Sequence, residues 1–250
     1  MTMTWEQLKA KSDPKLIGLQ PVVLAAVLCL MKTCFIRNIP ILITQGLRTI
    51  QAQNELYAQG RTQAQIEAAG ITGVTARPDL QVVTNARGGY SYHNFGLAVD
   101  FALLANDGKQ VSWDLNRDGN ANRRKDWDEV VEVAKKLGFE WGGDFVSIHD
   151  APHLEMTFGL STAELRAGNL PKTSQTQPVY RQMMKMEEEQ RVNKDNHVTV
   201  RVNGARIGEG ILDGSITYAP VRAVAEALGA SVVYDSKTLT VNVTGKEAAK

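Results

Sequence analysis

Two histidines and two aspartates stand in segments of this chain that otherwise read as buried structure. His93 and Asp100 lie in Ser91-Tyr-His-Asn-Phe-Gly96-Leu-Ala-Val-Asp100, and Asp150 and His153 in Asp150-Ala-Pro-His153. The chain has only four histidines. Asp100 is the sole charge in the run Leu97–Leu104, and a buried carboxylate is very costly unless it is paired or holds a metal. Zinc accepts two imidazole nitrogens and a carboxylate oxygen and keeps a fourth position for water. His93, Asp100 and His153 are therefore the expected ligands of one Zn2+ ion. Asp150 is placed to take a proton from a water that the metal has acidified. Arg48, in Thr44-Gln-Gly46-Leu-Arg48-Thr49, offers a guanidinium to the oxyanion that grows on a scissile carbonyl. The plainer alternatives are a structural ion pair for Arg48 and satisfied core or surface histidines.

These side chains need particular elements to bring them together. His93 and Asp100 are seven apart and would face opposite ways on one straight strand, so Asn94-Phe-Gly96 must turn the chain. Pro152 excludes a regular helix from Asp150 to His153. The first 170 residues read as one mixed α and β domain. Helices are expected over Pro21–Cys34, Gln51–Gln59 and Asp128–Leu137, the last stopped by Gly138. Strands are expected at Ile41–Thr44, Gln81–Thr84, Leu97–Leu104, Phe139–Trp141 and Leu154–Thr157, with a turn at Gly88-Gly89. Residues 171–196, rich in Gln, Lys, Glu and Met, read as a partly helical linker. From His197 the pattern alternates as strands do, with Asn203-Gly204 as a hairpin turn. A helix over Pro220–Leu228 and a hairpin around Asp235-Ser-Lys complete a β-β-α-β-β module at 197–250.

Composition removes several classes of function. The 28 basic and 27 acidic residues leave a net charge of +1, without the basic stripe of a nucleic-acid protein. Pro21–Met31 is an apolar run of eleven residues, too short for the roughly 20 of a membrane span and without the flanks of a signal peptide. Cys29 and Cys34 fit neither a redox nor a zinc spacing and read as reduced core thiols. Asp114-Leu-Asn-Arg-Asp118-Gly-Asn120 opens like a calcium loop, but Lys125 stands where a bidentate Glu belongs, so a solvated turn is expected. Trp127 and Trp141 suit either glycan contact or the core.

The motif Ser91-x-His93-x-x-Gly96-x-Ala98-x-Asp100, with a later acid-x-x-His, resembles the zinc D-Ala-D-Ala peptidases and their L-alanyl-D-glutamate peptidase relatives. Asn54-Glu-Leu-Tyr-Ala-Gln-Gly-Arg-Thr62, Val83-Thr-Asn-Ala86 and Trp141-Gly-Gly-Asp-Phe145 are similar to the second group, that of phage endolysins and a Bacillus wall peptidase. The resemblance covers roughly 14–170. It implies an α+β domain with a central antiparallel sheet flanked by helices, shared with the hedgehog signalling domain. It also implies hydrolysis of the L-Ala–D-Glu bond in the peptidoglycan stem peptide. The roles it carries over are metal binding for His93, Asp100 and His153, the base for Asp150, and transition-state stabilisation for Arg48. Several relatives use a glutamate as the base, so the shorter Asp150 must approach the water more closely. The chain departs from shorter members over Ala64–Asp79, a longer segment that precedes Val82-Val83.

Residues 197–250 resemble the small stalk module named after the N-terminal domain of copper amine oxidases, on Thr217-Tyr-Ala-Pro-Val-Arg222 through Gly229 and Val233-Tyr-Asp235. That implies attachment to the bacterial cell wall or self-association, without copper. The expected protein is an endolysin held in the host cytoplasm until a holin releases it to the wall. The alternatives are a D-Ala-D-Ala carboxypeptidase and a non-catalytic, zinc-containing wall-binding protein.

Overall fold

A computed structural model describes residues 3–105, 108–146, 148–195, 197–213, 216–235, 238 and 240–245. It divides into two compact units, Met1–Met183 and Met184–Lys250. Unit 1 opens with α1 (Trp5–Leu16) and α2 (Pro21–Ile36). Thr4 and Gln7 cap α1 reciprocally, which satisfies backbone N–H groups that the first turn leaves without partners. α2 is apolar on nearly every side, and Val23, Ala26, Val27 and Leu30 are fully enclosed, as expected of a core helix. Cys29 and Cys34 are buried free thiols, and burial pushes Cys34 up to about 12. Among the described residues no helix is long and apolar enough to cross a membrane.

The chain then forms β1 (Ile41–Gln45), α3 (Ile50–Tyr57) and α4 (Gln63–Ala68). A 3-10 turn at Tyr92–Phe95 leads into β2 (Ala98–Leu104). β3 (Val111–Ser112), α5 (Asp126–Lys136), β4 (Glu140–Trp141), β5 (His153–Glu155) and α6 (Thr162–Arg166) follow. β2 is the axis of a five-stranded antiparallel sheet in the order β1-β2-β5-β4, with β3 against the far end of β2. Its inward side chains meet α5 through Phe101 and Trp127, whose ring centroids are 4.7 Å apart. Trp127 is thus a core residue. α1 is stitched to β1 by the Ile43 N–H, which donates to the buried Ser12 Oγ at 3.1 Å.

Gln81–Thr84 pairs with no strand; Val82 and Val83 are about half exposed, and the segment runs alongside the cleft described below. Adjacent valines gave it a strand-like composition, but there is no alternating buried face to dock on a sheet. α4 lies between Gln59 and Gln81, where the sequence pattern predicts no helix or strand. The Asp114–Asn120 turn satisfies itself: the Asn116 N–H donates to Asp114 Oδ1, and the Asn122 and Arg123 N–H groups donate to Asp118.

The stretch expected as a linker is largely α7 (Thr173–Asp195), whose Val179 and Met183 are buried within unit 1. Unit 2 holds β6 (His197–Val202), β7 (Ala205–Asp213), β8 (Ile216–Tyr218), α8 (Val221–Ala227), β9 (Ser231–Asp235) and β10 (Thr240–Thr244). β6-β7-β8 form one antiparallel sheet and β9-β10 another. The order is therefore β-β-β-α-β-β, one strand more than the sequence pattern suggested. Asn203 and Gly204 both take positive φ, 50° and 81°, as a two-residue hairpin of this twist requires. Ser236 and Lys237 of the second hairpin lie outside the described residues.

Candidate metal centre and catalytic cleft

Two strands of the sheet and the turn that precedes one of them converge on one point. Asp100 of β2 and His153 of β5 are direct cross-strand partners, which brings their side chains side by side on one face. His93 arrives from the 3-10 turn. Gly96 ends that turn with φ 67°, and a Cβ there would lie 2.4 Å from the Gly18 carbonyl oxygen. Only glycine fits, and this is the fold-back that the odd His93–Asp100 spacing demanded.

The geometry at the convergence is tight. His93 Nε2 lies 3.2 Å from Asp100 Oδ1 and 3.2 Å from His153 Nδ1. His153 Nδ1 lies 3.3 Å from the same Asp100 oxygen. The opposite ring nitrogens are taken: His93 Nδ1–H donates to the Gly46 carbonyl at 2.8 Å, and His153 Nε2–H donates to Glu155 Oε2 at 2.8 Å. Each ring therefore turns its second nitrogen toward Asp100 Oδ1, and three metal-ligand atoms share one small space. Such a set fits a divalent cation, with ligand orientation fixed by outer hydrogen bonds as in metal-binding histidines generally. Among the described residues it is the one His/Cys/Asp/Glu cluster that could hold a metal ion.

The electrostatics agree. Burial alone would raise the Asp100 carboxyl, but hydrogen bonds from His153 and His93 outweigh it and hold it well below the usual carboxylate range. Burial alone would lower His153; its bonds to Asp100 and Glu155 reverse this and raise it to about 9. His153 must give up that proton before it can bind a cation there.

Arg48 and Asp150 flank the cluster. The β1 strand bulges between Ile43 and Gln45 and releases the chain into Gly46–Arg48. This loop is locked to the His93 turn, since the Arg48 N–H donates to the His93 carbonyl at 3.0 Å and Asn94 Nδ2 donates to the Arg48 carbonyl at 2.8 Å. The guanidinium donates to Asp100 Oδ2 at 3.3 Å and to Gln53 Oε1 at 2.8 Å. Burial lowers Arg48, with Asp100 and Asp150 opposing, and a guanidinium stays charged throughout. Arg48 is therefore both an ion-pair partner of Asp100 and a cation facing the cleft.

Asp150 sits in a turn braced by three contacts. Its N–H donates to the Gly142 carbonyl, the His153 N–H donates to the Asp150 carbonyl, and Trp141 Nε1 donates to the Ala151 carbonyl at 2.7 Å. Trp141 is thus tied to the turn that carries the acid. Burial raises the Asp150 carboxyl, as does the negative charge of Asp100, against the pull of His153, His93 and Arg48. A carboxylate held more basic than usual suits a proton acceptor.

Arg48, His93, Asp100, Asp150 and His153 all line one cleft of about 480 Å³, together with Thr84, Asn85, Tyr90 and Phe145. All five side chains expected from the sequence are brought together. Three supports escaped that reading: Glu155 on His153, Gln53 on Arg48 and the Gly46 carbonyl on His93. Glu155 had a usable signal, because His153-x-Glu155 on a strand places both side chains on one face.

A family model described as D-alanyl-D-alanine carboxypeptidase matches residues 84–156, which carry His93, Asp100, Asp150 and His153. The chain is 44% identical over 153 residues to the peptidoglycan L-alanyl-D-glutamate endopeptidase CwlK of Bacillus subtilis, spanning 61% of this chain and 82% of that one. The chain belongs to this peptidase family. Within the family it is also 36% identical over 89 residues to an L-alanyl-D-glutamate peptidase of a Listeria phage, covering 34% of this chain and 29% of that one. Among solved structures the chain is similar to the L-Ala D-Glu endopeptidase ChiX of Serratia marcescens, at 22% identity and a TM-score of 0.38, covering 60% of this chain and 89% of that one.

Proposed function

We propose that this metallopeptidase hydrolyses the L-alanyl-D-glutamate bond of the peptidoglycan stem peptide, with zinc held by His93, Asp100 and His153. One observation carries the reading. A carboxylate whose pKa is raised by burial, Asp150, and a part-buried guanidinium, Arg48, face the same cleft as a three-atom metal-ligand set. A purely structural metal site needs neither. The CwlK likeness supports the choice of bond.

Zinc bound there would supply the Lewis acidity that acidifies a water and polarises a carbonyl. Asp150 accepts the proton of the attacking water and delivers it to the leaving amine of D-Glu. Arg48, steadied by Gln53, offers its remaining donors to the oxygen on which charge develops. His153 and His93 keep their ring orientation through Glu155 and Gly46. The residues 197–250 are proposed as a wall-attachment module, tested by pull-down of the full chain and a version ending at Asp195 on intact walls. Release from the cytoplasm through a holin belongs to the same proposal, and the Listeria phage relative supports a lytic role.

The test is digestion of purified peptidoglycan, with and without chelator, followed by mass spectrometry of the new amino termini. New D-Glu termini that vanish with chelator and in Asp150→Ala support the reading. New D-Ala termini assign the chain to carboxypeptidase chemistry instead, and no new termini with any divalent metal refute hydrolysis.

A further inference from the structure

Residues that line the cleft are packed against cations that the proposed mechanism does not use. Tyr90 lines the cleft and is 40% exposed. Two guanidinium carbons lie against its ring, Arg87 at 4.4 Å and Arg166 at 3.8 Å from the centroid. The two like charges are therefore within about 8 Å of each other. A third arginine, Arg61, stacks on Tyr57 at 3.8 Å and donates to the carbonyl of Thr84, another cleft residue.

All three are held by neutral oxygens. Arg87 donates to the Ala69 carbonyl and to Tyr90 Oη, and Arg166 to the Gly89 carbonyl and Thr162 Oγ1. Arg61 donates to the Tyr57 and Thr84 carbonyls and to Asn85 Oδ1. Among the described residues none of the three has a carboxylate within ion-pair distance. By contrast Arg48, Arg77, Arg117 and Arg124 each do. The neutral bonds and the aromatic faces fix the guanidinium planes without using an ion-pair partner among the described residues. A planar guanidinium fixed in this way is suited to a carboxylate.

We infer that Arg87 and Arg166, stacked on Tyr90, form a specificity site that recognises a free carboxylate on the stem peptide. The inference rests on the proposed peptidase reading and deepens it. The stem peptide offers that chemistry at two places, the α-carboxylate of D-Glu and the side-chain carboxylate of a diacid in the next position. Each becomes neutral when amidated. The site would make the protein selective for unamidated walls.

Four synthetic stem peptides test this, with the D-Glu carboxylate free or amidated and the third-residue carboxylate free or amidated. They are cleaved by the full chain loaded with zinc, and by Arg87→Gln/Arg166→Gln and Arg87→Lys/Arg166→Lys double variants. The expected result is a preference of about tenfold or more in kcat/KM for one free carboxylate, expressed in KM. The Gln pair should reduce that preference to below about twofold, and the Lys pair, which keeps the charges without the planar forks, should retain only part of it. Which single amidation removes the preference identifies the carboxylate. Equal cleavage of all four peptides by the unaltered chain overturns the specificity site while leaving the peptidase reading intact. So does a preference that survives in the Gln pair. If no peptide is cut, calorimetric titration of the same peptides decides: binding that favours the free acid and is lost in the Gln pair keeps the site and removes the peptidase reading. Absence of binding removes both.

Discussion

Glu155 provides a quantitative handle on the metal centre. Its Oε2 accepts from His153 Nε2–H at 2.8 Å, and both side chains are buried. Glu155→Gln keeps an acceptor oxygen in reach and removes only the charge. A charge-assisted hydrogen bond contributes about 1.5–3 kcal/mol and a neutral one about 1 kcal/mol. The loss in intrinsic metal affinity should therefore be about 1–2 kcal/mol, or roughly 5–30-fold. Glu155→Ala also frees the ring to rotate and should reach the upper end of the 10–100-fold range typical of such outer partners. A second effect opposes the first. The same carboxylate helps to raise His153 to about 9 in the metal-free protein, so its loss weakens the proton that competes with the metal. The deficit should thus be largest above about pH 9, where competition has ended, and smaller at about pH 7. Competition with a chromophoric chelator in zinc-buffered solutions, at both pH values, measures this directly. Equal affinity of the parent chain, the Gln and the Ala variants at alkaline pH would refute the idea that Glu155 tunes His153.

In the parent chain, His153 holds its proton below about 9 and must release it to bind metal. Apparent zinc affinity should accordingly fall about tenfold per unit as pH drops from 9 toward 7; a flat profile by the same chelator assay contradicts this. Asp150→Asn should lower kcat by about 10²–10⁴ and change zinc affinity less than about threefold, read by peptide cleavage and chelator competition together. Arg48→Gln should cost about 10²–10³ in kcat, and Arg48→Lys should rescue little, since an ammonium cannot span Asp100 and Gln53 as the fork does. Gly96→Ala places a residue at φ 67° with its Cβ 2.4 Å from a backbone oxygen, whereas Gly73, at φ 73°, has open space around it. Urea unfolding should show a cost of about 1 kcal/mol for Gly73→Ala and at least about 2 kcal/mol for Gly96→Ala.

The chemistry was legible because its residues are rare types in conspicuous places: a lone acid in an apolar strand, and histidines beside a turn glycine and a proline. α2 and β2 follow from continuous apolar runs, and α5 from its apolar periodicity. Short elements were harder. α1, α4 and α6 each begin with a reciprocal cap, Thr4 with Gln7, Thr62 with Gln65 and Ser161 with Glu164. Those pairs were visible in the sequence, but α4 and α6 have too few apolar repeats to stand out. β8 depends on pairing with β7, which no local pattern encodes. The supports Glu155 and Gln53 act through tertiary contacts, and so does the Arg87–Tyr90–Arg166 stack, which joins segments over seventy residues apart.

The central claim is that His93, Asp100 and His153 hold one catalytic ion over which Asp150 and Arg48 act on an L-Ala–D-Glu bond. The most direct measurement adds zinc stepwise to metal-depleted protein in the presence of a synthetic stem peptide, following bound metal and newly formed D-Glu amino termini in the same samples. The account predicts that cleavage rises in proportion to occupancy and levels off at one ion per chain. Full occupancy with the L-Ala–D-Glu bond intact, or cleavage undiminished in the metal-depleted protein, would contradict it.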